Sequence, residues 1–221
     1  MTGDLRKGRN PAGRGPSLTG VILAGGKSSR MGANKALLTI DGQNLVQRLV
    51  ARLERLCDHI VLVANDPDPY RELGLPIVGD VFPGNGPLAG IHAGLSASTT
   101  AHCLVVACDM PHASVDLGEY MARQTAGYDV VVPAHRGGLE PLHALYSRSC
   151  LPHIEARLTA AGRRDLRIIS FYPDVAVRQV VEAEIEPFGH PTVIFYNINT
   201  REDYERLRAG VGGAQWKGAG L

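Results

Sequence analysis

The chain has 221 residues, and 23 Lys and Arg against 22 Asp and Glu leave a formal charge of +1. That balance excludes a broad cationic face for nucleic acid, and 44% hydrophobic with 20% charged residues excludes general disorder. No apolar run approaches the ~20 residues that cross a bilayer, so a membrane partner is not expected either.

Residues 1–17 are basic and rich in Gly and Pro, with no apolar stretch of the kind a secretory signal needs. They are expected to form a disordered arm. Residues 18–209 read as a single domain, and residues 210–221 as a flexible Gly-rich tail. The domain opens with an apolar run over 19–24, a buried strand stopped by Gly25 and Gly26. Leu45, Val46, Leu49, Val50, Leu53 and Leu56 line one face of a helix, and Arg48, Arg52 and Arg55 fall elsewhere, on an expected solvated face. Residues 60–64 and 77–78 are further strands. Pro87 suits the first turn of a helix running to about 98. A strand is expected over 103–107, a helix over 117–125 and a strand over 130–132. Residues 139–146 alternate in the manner of an exposed or antiparallel strand. Helical spacing returns near 149–160 and 201–208, with a strand expected over 193–196 between them.

Strands alternating with helices imply a three-layer α/β/α, Rossmann-like fold. Its central sheet is mostly parallel, with an antiparallel portion in the C-terminal half. Ligands of such sheets sit beyond the carboxyl ends of the strands. Cys57, Cys103, Cys108 and Cys150 form no CxxC pair. They read as small core residues of a protein kept in a reducing cytoplasm.

The residues after the first strand are LAGGKSSRMGANK, from Leu23 to Lys35. Paired glycines let the backbone approach a ligand, and Lys27, Arg30 and Lys35 place three cations in one loop. Bare amides with concentrated positive charge suit a polyphosphate. The P-loop pattern fails here, because Met31 stands five residues after Gly26 and Gly32 is followed by Ala33. A GxGxxA string at 84–89 is weak, since Pro87 interrupts it. Asp109 follows an apolar strand and precedes Met110 and Pro111, so its carboxylate either projects at the ligand edge as a hard oxygen donor for Mg2+ or serves as a helix N-cap or turn residue. Asp80, just past the strand over 77–78, is either an acceptor for ligand N–H groups or a turn residue.

These segments resemble a known family. LAGGKSSRMGANK is similar to the LAGGxSxRMGxxK signature of nucleotidyltransferases with a glycosyltransferase-A-like Rossmann fold. GPLAG at 86–90, CDMP at 108–111 and NINT at 197–200 follow in order, and the set resembles the molybdenum cofactor guanylyltransferase (MobA) family over roughly residues 18–209. The resemblance implies transfer of GMP from GTP to the terminal phosphate of molybdopterin, with release of pyrophosphate. It implies Mg2+ as cofactor, with Mn2+ as a substitute. An accessory GTP-binding protein and target molybdoenzymes are implied as partners.

The resemblance also implies roles. Leu23, Ala24, Gly25 and Gly26 hold the nucleotide, Lys35 meets its phosphates, Asp80 helps bind GTP and Asp109 is the metal ligand. The family can carry Asn where this chain has Val63, and Asn65 is the nearby substitute. Arg30 and Lys35 are expected to stabilise the departing pyrophosphate. For the acceptor, Asn197 and Asn199 lie two apart, on one side of an extended segment, and amides can read a pterin. Arg163, in the basic segment 162–165, is either an acceptor or partner contact or part of a solvated helix start. His143 lies in the segment Glu140-Pro141-Leu142-His143, which either lines the acceptor site or is structural. Three alternatives remain open. The same fold can transfer CMP to molybdopterin, transfer a nucleotidyl group to a sugar or polyol phosphate, or bind a nucleotide without catalysis.

Overall fold

The computed structural model describes residues 16–25, 34–160 and 165–210. Most of the expected N-terminal arm, nearly all of the tail, Gly26, Arg30 and Arg163 lie outside the described residues.

The elements in chain order are β1 (Leu18–Leu23), β2 (Thr39–Ile40), β3 (Gln43–Asn44), α1 (Leu45–Leu53), β4 (His59–Val63), β5 (Ile77–Val78) and α2 (Gly86–Ala97). They continue with β6 (His102–Ala107), α3 (Val115–Ala122), β7 (Val130–His135), β8 (Gly138–Leu139), β9 (His143–Ser147) and α4 (Leu151–Thr159). The last are β10 (Val177–Val181), α5 (Glu182–Ile185), α6 (Pro191–Ile194) and α7 (Arg201–Arg208). The main sheet runs β10-β7-β9-β6-β1-β4-β5, with β8 attached to β7. Strand β1 pairs in parallel with β4 and β6, β4 with β5, and β7 with β10. Strand β9 runs antiparallel to both β6 and β7. This is the mainly parallel sheet with an antiparallel C-terminal portion that the sequence implies.

Both faces of the sheet are covered, which is why its central strands are apolar at almost every position. Ile22, Leu62, Leu104, Val106 and Leu145 pack with Val46 and Leu49 of α1 and Leu117 and Met121 of α3. Their sequence neighbours Val21, Val63, Cys103, Val105 and Tyr146 point the other way, to Leu88, Ile91 and Leu95 of α2 and Ile154 of α4. Helix α1 starts at a reciprocal cap between Asn44 and Gln47. Helix α2 carries Pro87 in its first turn, as expected, and is buried along most of its length. No helix among the described residues is long and apolar enough to cross a membrane.

Several expectations need correction. Residues 193–196 are not a strand. Pro191 opens the short helix α6, and His190 caps it through an N–H of Thr192. The strand that closes this end of the sheet is β10, which lies on β7. Its alternation is broken by Arg178 and Gln179, so no apolar run marks it. Helix α3 starts two residues earlier than expected, at the Ser114 cap, and ends at Ala122. Arg52 is not on a solvated face: its guanidinium donates to the Pro111 carbonyl at 2.5 Å. Burial, with Arg48 and Arg55 nearby, lowers its pKa. The four cysteines are free thiols, and Cys57, Cys103 and Cys150 are buried. Burial pushes all four pKa values up, that of Cys103 to about 11. These thiols are packing groups, not nucleophiles.

Candidate active site

The carboxyl ends of β5, β4, β1 and β6 stand side by side at one sheet edge. The chain beyond β1 is fixed by main-chain bonds to both neighbours. Ala24 N–H donates to the Val63 carbonyl at 3.0 Å, and Cys108 N–H donates to the Leu23 carbonyl at 3.1 Å. These bonds occupy the Ala24 donor, and Gly25 is the first exposed residue after the strand. The Leu23 and Ala24 carbonyls each keep a second lone pair for a ligand donor.

Tyr70, which the sequence reading missed, ties down both ends of the signature loop. It is 2% exposed. Its hydroxyl donates to the Ala24 carbonyl at 3.2 Å and accepts from Asn34 Nδ2 at 2.8 Å. Asn34 in turn caps the single helical turn Lys35–Leu37 through Ala36 N–H. That cap aims Lys35 inward. Its ammonium lies 3.4 Å from Asp109 Oδ2 and 3.3 Å from Asn199 Oδ1. A lone tyrosine between Pro67 and Gly74 carries no sequence signal for this role, because its partners lie 36 and 46 residues away.

Asn199 is brought in from the other end of the chain. Ile198 N–H donates to the Asp109 carbonyl at 2.9 Å. Asp203 accepts from the N–H groups of Asn199 and Thr200 at 2.9 and 2.8 Å. Burial alone would raise the pKa of Asp203, but these amides outweigh it and the pKa is lowered. Asn197 differs. It turns back to the Phe195 carbonyl at 3.0 Å and does not share the Lys35 contact.

Asp80 and Asn65 form a second unit. Asn65 Nδ2 donates to Asp80 Oδ2 at 3.0 Å, and Asp80 N–H returns a bond to Asn65 Oδ1 at 2.8 Å. The absent side chain of Gly90 leaves room here. A Cβ there would sit 3.3 Å from Leu23 Cδ2 and 3.8 Å from Asp80 Oδ1. Asp80 is thus placed beside Leu23, so Asp80–Asn65 and Lys35–Asp109 flank the end of β1. His143 is a packing residue, not an acceptor contact. It is 1% exposed and meets Phe195 edge-on. Burial lowers its pKa to about 4, with the Ser114 main chain pulling weakly the other way.

Asp109 is half-buried, with a side chain 24% exposed. Among the described residues no group of three or more His, Cys, Asp or Glu side chains is arranged to hold a metal ion. One hard carboxylate beside a lysine at the sheet edge does fit Mg2+, which takes most of its ligands from substrate phosphates and water. It does not fit a resident ion in a protein cage.

Residues 20–177 match the family model of the MobA-like NTP transferase domain. The chain belongs to that family. It is a nucleotidyltransferase. It is 42% identical over 190 residues to a probable molybdenum cofactor guanylyltransferase of Pelotomaculum thermopropionicum, covering 86% of this chain and 91% of the relative. It is 36% identical over 201 residues to a molybdenum cofactor guanylyltransferase of Desulfosudis oleivorans, covering 88% and 96%. The crystal structure of molybdopterin-guanine dinucleotide biosynthesis protein A from Archaeoglobus fulgidus superposes with a TM-score of 0.74 at 26% identity, covering 87% of this chain and 98% of that one.

Proposed function

We propose that this MobA-like nucleotidyltransferase moves GMP from GTP to the terminal phosphate of molybdopterin, forming the guanine dinucleotide and pyrophosphate. The observation that carries the reading is the meeting of Lys35, Asp109 and Asn199 at the ends of β1 and β6, beside the Asp80–Asn65 unit. Residues far apart in the chain converge at the ligand edge of the sheet, which supports a nucleotide site there.

The acceptor needs no general base. A phosphate monoester has a second pKa near ~6, so it is mostly dianionic at neutral pH. Catalysis then reduces to positioning and charge neutralisation. Lys35 is already within reach of two oxygens, and it exchanges them for phosphate oxygens when GTP enters. Arg30, from the signature loop, adds charge at the departing pyrophosphate. Gly25 and Gly26 let the backbone approach the phosphates, and the Leu23 and Ala24 carbonyls accept from the nucleoside. Asp109 would hold Mg2+, with Mn2+ as substitute, and such an ion would supply positive charge to neutralise the substrate phosphates. Asn199 and Asn197, with Arg163, meet the acceptor. The reaction takes place in the cytoplasm, with an accessory GTP-binding protein and molybdoenzymes as partners.

Asp80 favours guanine over cytosine. Guanine offers a carboxylate two adjacent donors, N1–H and the 2-amino group. Cytosine offers one amino donor next to an acceptor nitrogen, which would face the carboxylate with like polarity. Asn65 Nδ2 holds the carboxylate in place.

The test is melting temperature with each of the four nucleoside triphosphates plus Mg2+. A ligand at 100 times its Kd adds about 2.7 kcal/mol, or roughly 5–10 °C for a domain of this size. GTP is expected to give that shift and CTP, UTP and ATP much less. A shift with CTP as large as that with GTP would overturn the guanylyl assignment.

A further inference from the structure

The ligand edge of the sheet continues past Asp109. Strand β9 lies between β6 and β7 and runs against both. Its first residue and the turn before it therefore stand at the same edge as the ends of β6 and β7. That turn carries Glu140, and the last residue of β7 is His135.

These two side chains form a pair of defined polarity. His135 Nε2 is 2.8 Å from Glu140 Oε1. Gly137 N–H donates to His135 Nδ1 at 3.1 Å. A ring nitrogen that accepts carries no proton, so the proton of the neutral ring is on Nε2 and is donated to Glu140. The imidazole also stacks on Phe195, with centroids 5.2 Å apart and planes 17° apart. Ring position and tautomer are both fixed, so the carboxylate is held from behind.

The pair is costly for its place. The side chains are 11% and 21% exposed, and a carboxylate so far removed from water is unfavourable unless something donates to it. Burial raises the pKa of Glu140, against the opposing pull of His135. Among the described residues Oε2 has no hydrogen-bond partner, and each carboxylate oxygen has a further lone pair to offer.

Position says what that donor belongs to. Phe195, under His135, is three residues from Ile198, whose N–H binds the Asp109 carbonyl. The pair is thus joined to the reaction centre by one short segment. Asp80, Asn65 and the signature loop take the nucleotide on the β5-β4-β1 side of Asp109. The acceptor, whose phosphate must reach the same centre, is left the β9-β7 side. Its far end is a 2-amino-4-oxopteridine ring, which presents N3–H and the 2-amino group as two parallel donors. A carboxylate accepts such a pair through both oxygens.

We propose that Glu140, held by His135, reads the N3–H and 2-amino edge of the acceptor's pterin. The inference rests on the guanylyltransferase reading. Glu140 is then a specificity-determining residue, and His135 a positioning residue acting through it.

The test uses the full chain and two fluorescent probes, pterin and lumazine, which differ in the 2-amino group. The wild-type protein is expected to bind pterin about 10-fold or more tighter than lumazine, the effect of one charged hydrogen bond lost. Glu140→Gln should reduce that ratio to about 2-fold or less and raise the KM for molybdopterin roughly 10- to 100-fold. The melting shift with GTP should stay as in wild type. His135→Gln, which keeps an N–H donor near Nε2, should retain the pterin preference, and His135→Phe should lose it. Equal binding of pterin and lumazine by the wild-type protein overturns the proposal, and needs no variant to fold. A His–Glu pair that only ties the hairpin together would lower the melting temperature of every variant and leave the pterin-to-lumazine ratio intact, which also overturns it. In either case a GTP shift with wild-type turnover of molybdopterin would leave the guanylyltransferase reading standing. Absence of a GTP shift would remove that reading and this proposal together.

Discussion

Replacing Asp109 by Asn is expected to lower kcat by about 10²–10³-fold, the usual cost of removing one charge-stabilising group from a transition state. Asn has the same shape but neither holds Mg2+ well nor balances Lys35. The fold should survive. Among the described residues, the ion pair broken joins two side chains that are 20% and 24% exposed, 3.4 Å apart, and solvent-screened pairs of that kind contribute about 0–1 kcal/mol. The main-chain bond from Ile198 to Asp109 is untouched by the substitution. Steady-state rates with saturating GTP and Mg2+, beside a melting curve, check both halves. An unchanged rate would remove Asp109 from the reaction centre.

Gly94→Ala is expected to cost about 1–3 kcal/mol of stability, the usual penalty of overpacking a filled core. In most helices the same change is favourable by about 1 kcal/mol, since Ala is the better helix former, so the sign of the result isolates the packing effect. Gly94 faces Val21 at the centre of β1. A Cβ there would lie 3.1 Å from Val21 Cγ2 and closer still to Cγ1. Val21 is β-branched and fully buried, so it cannot swing aside. Helix α2 or strand β1 must move instead, and β1 carries the signature loop. The melting temperature should fall by roughly 3–10 °C, by the usual relation between stability and melting for a domain of this size. A rise would mean that the helix and strand are less tightly apposed.

The legible parts of the fold were those whose signal is local. Strands β1, β4 and β6 read as strands because both sheet faces demand apolar side chains, and α1 because its leucines recur at helical spacing. Strand β10 carried no such signal. It is an edge strand with Arg178 and Gln179 at its middle, and only its docking on β7 makes it a strand. Residues 193–196 failed for the opposite reason. An apolar run after a Pro predicts a strand, whereas Ile194 and Phe195 are buried from a helical turn. In the site, Lys35, Asp80 and Asp109 were legible because each follows a strand or a glycine signature. Tyr70 and His135 were not, and Glu140 was legible only as part of a segment before β9. Their roles depend on contacts across the sheet edge that no spacing encodes. Asn199 and Asn197 looked equivalent in sequence, and only the bond from Asn197 to Phe195 separates them.

The central claim is that a triphosphate lies across the ends of β1 and β6, between Lys35 and Asp109. A crystal structure of the protein grown with GTP and Mg2+ tests it most directly. The account predicts phosphate oxygens within hydrogen-bond distance of Lys35, a cation on Asp109, and the guanine edge on Asp80. Nucleotide bound away from the ends of β1 and β6, with Lys35 still on Asp109 and Asn199, would contradict it.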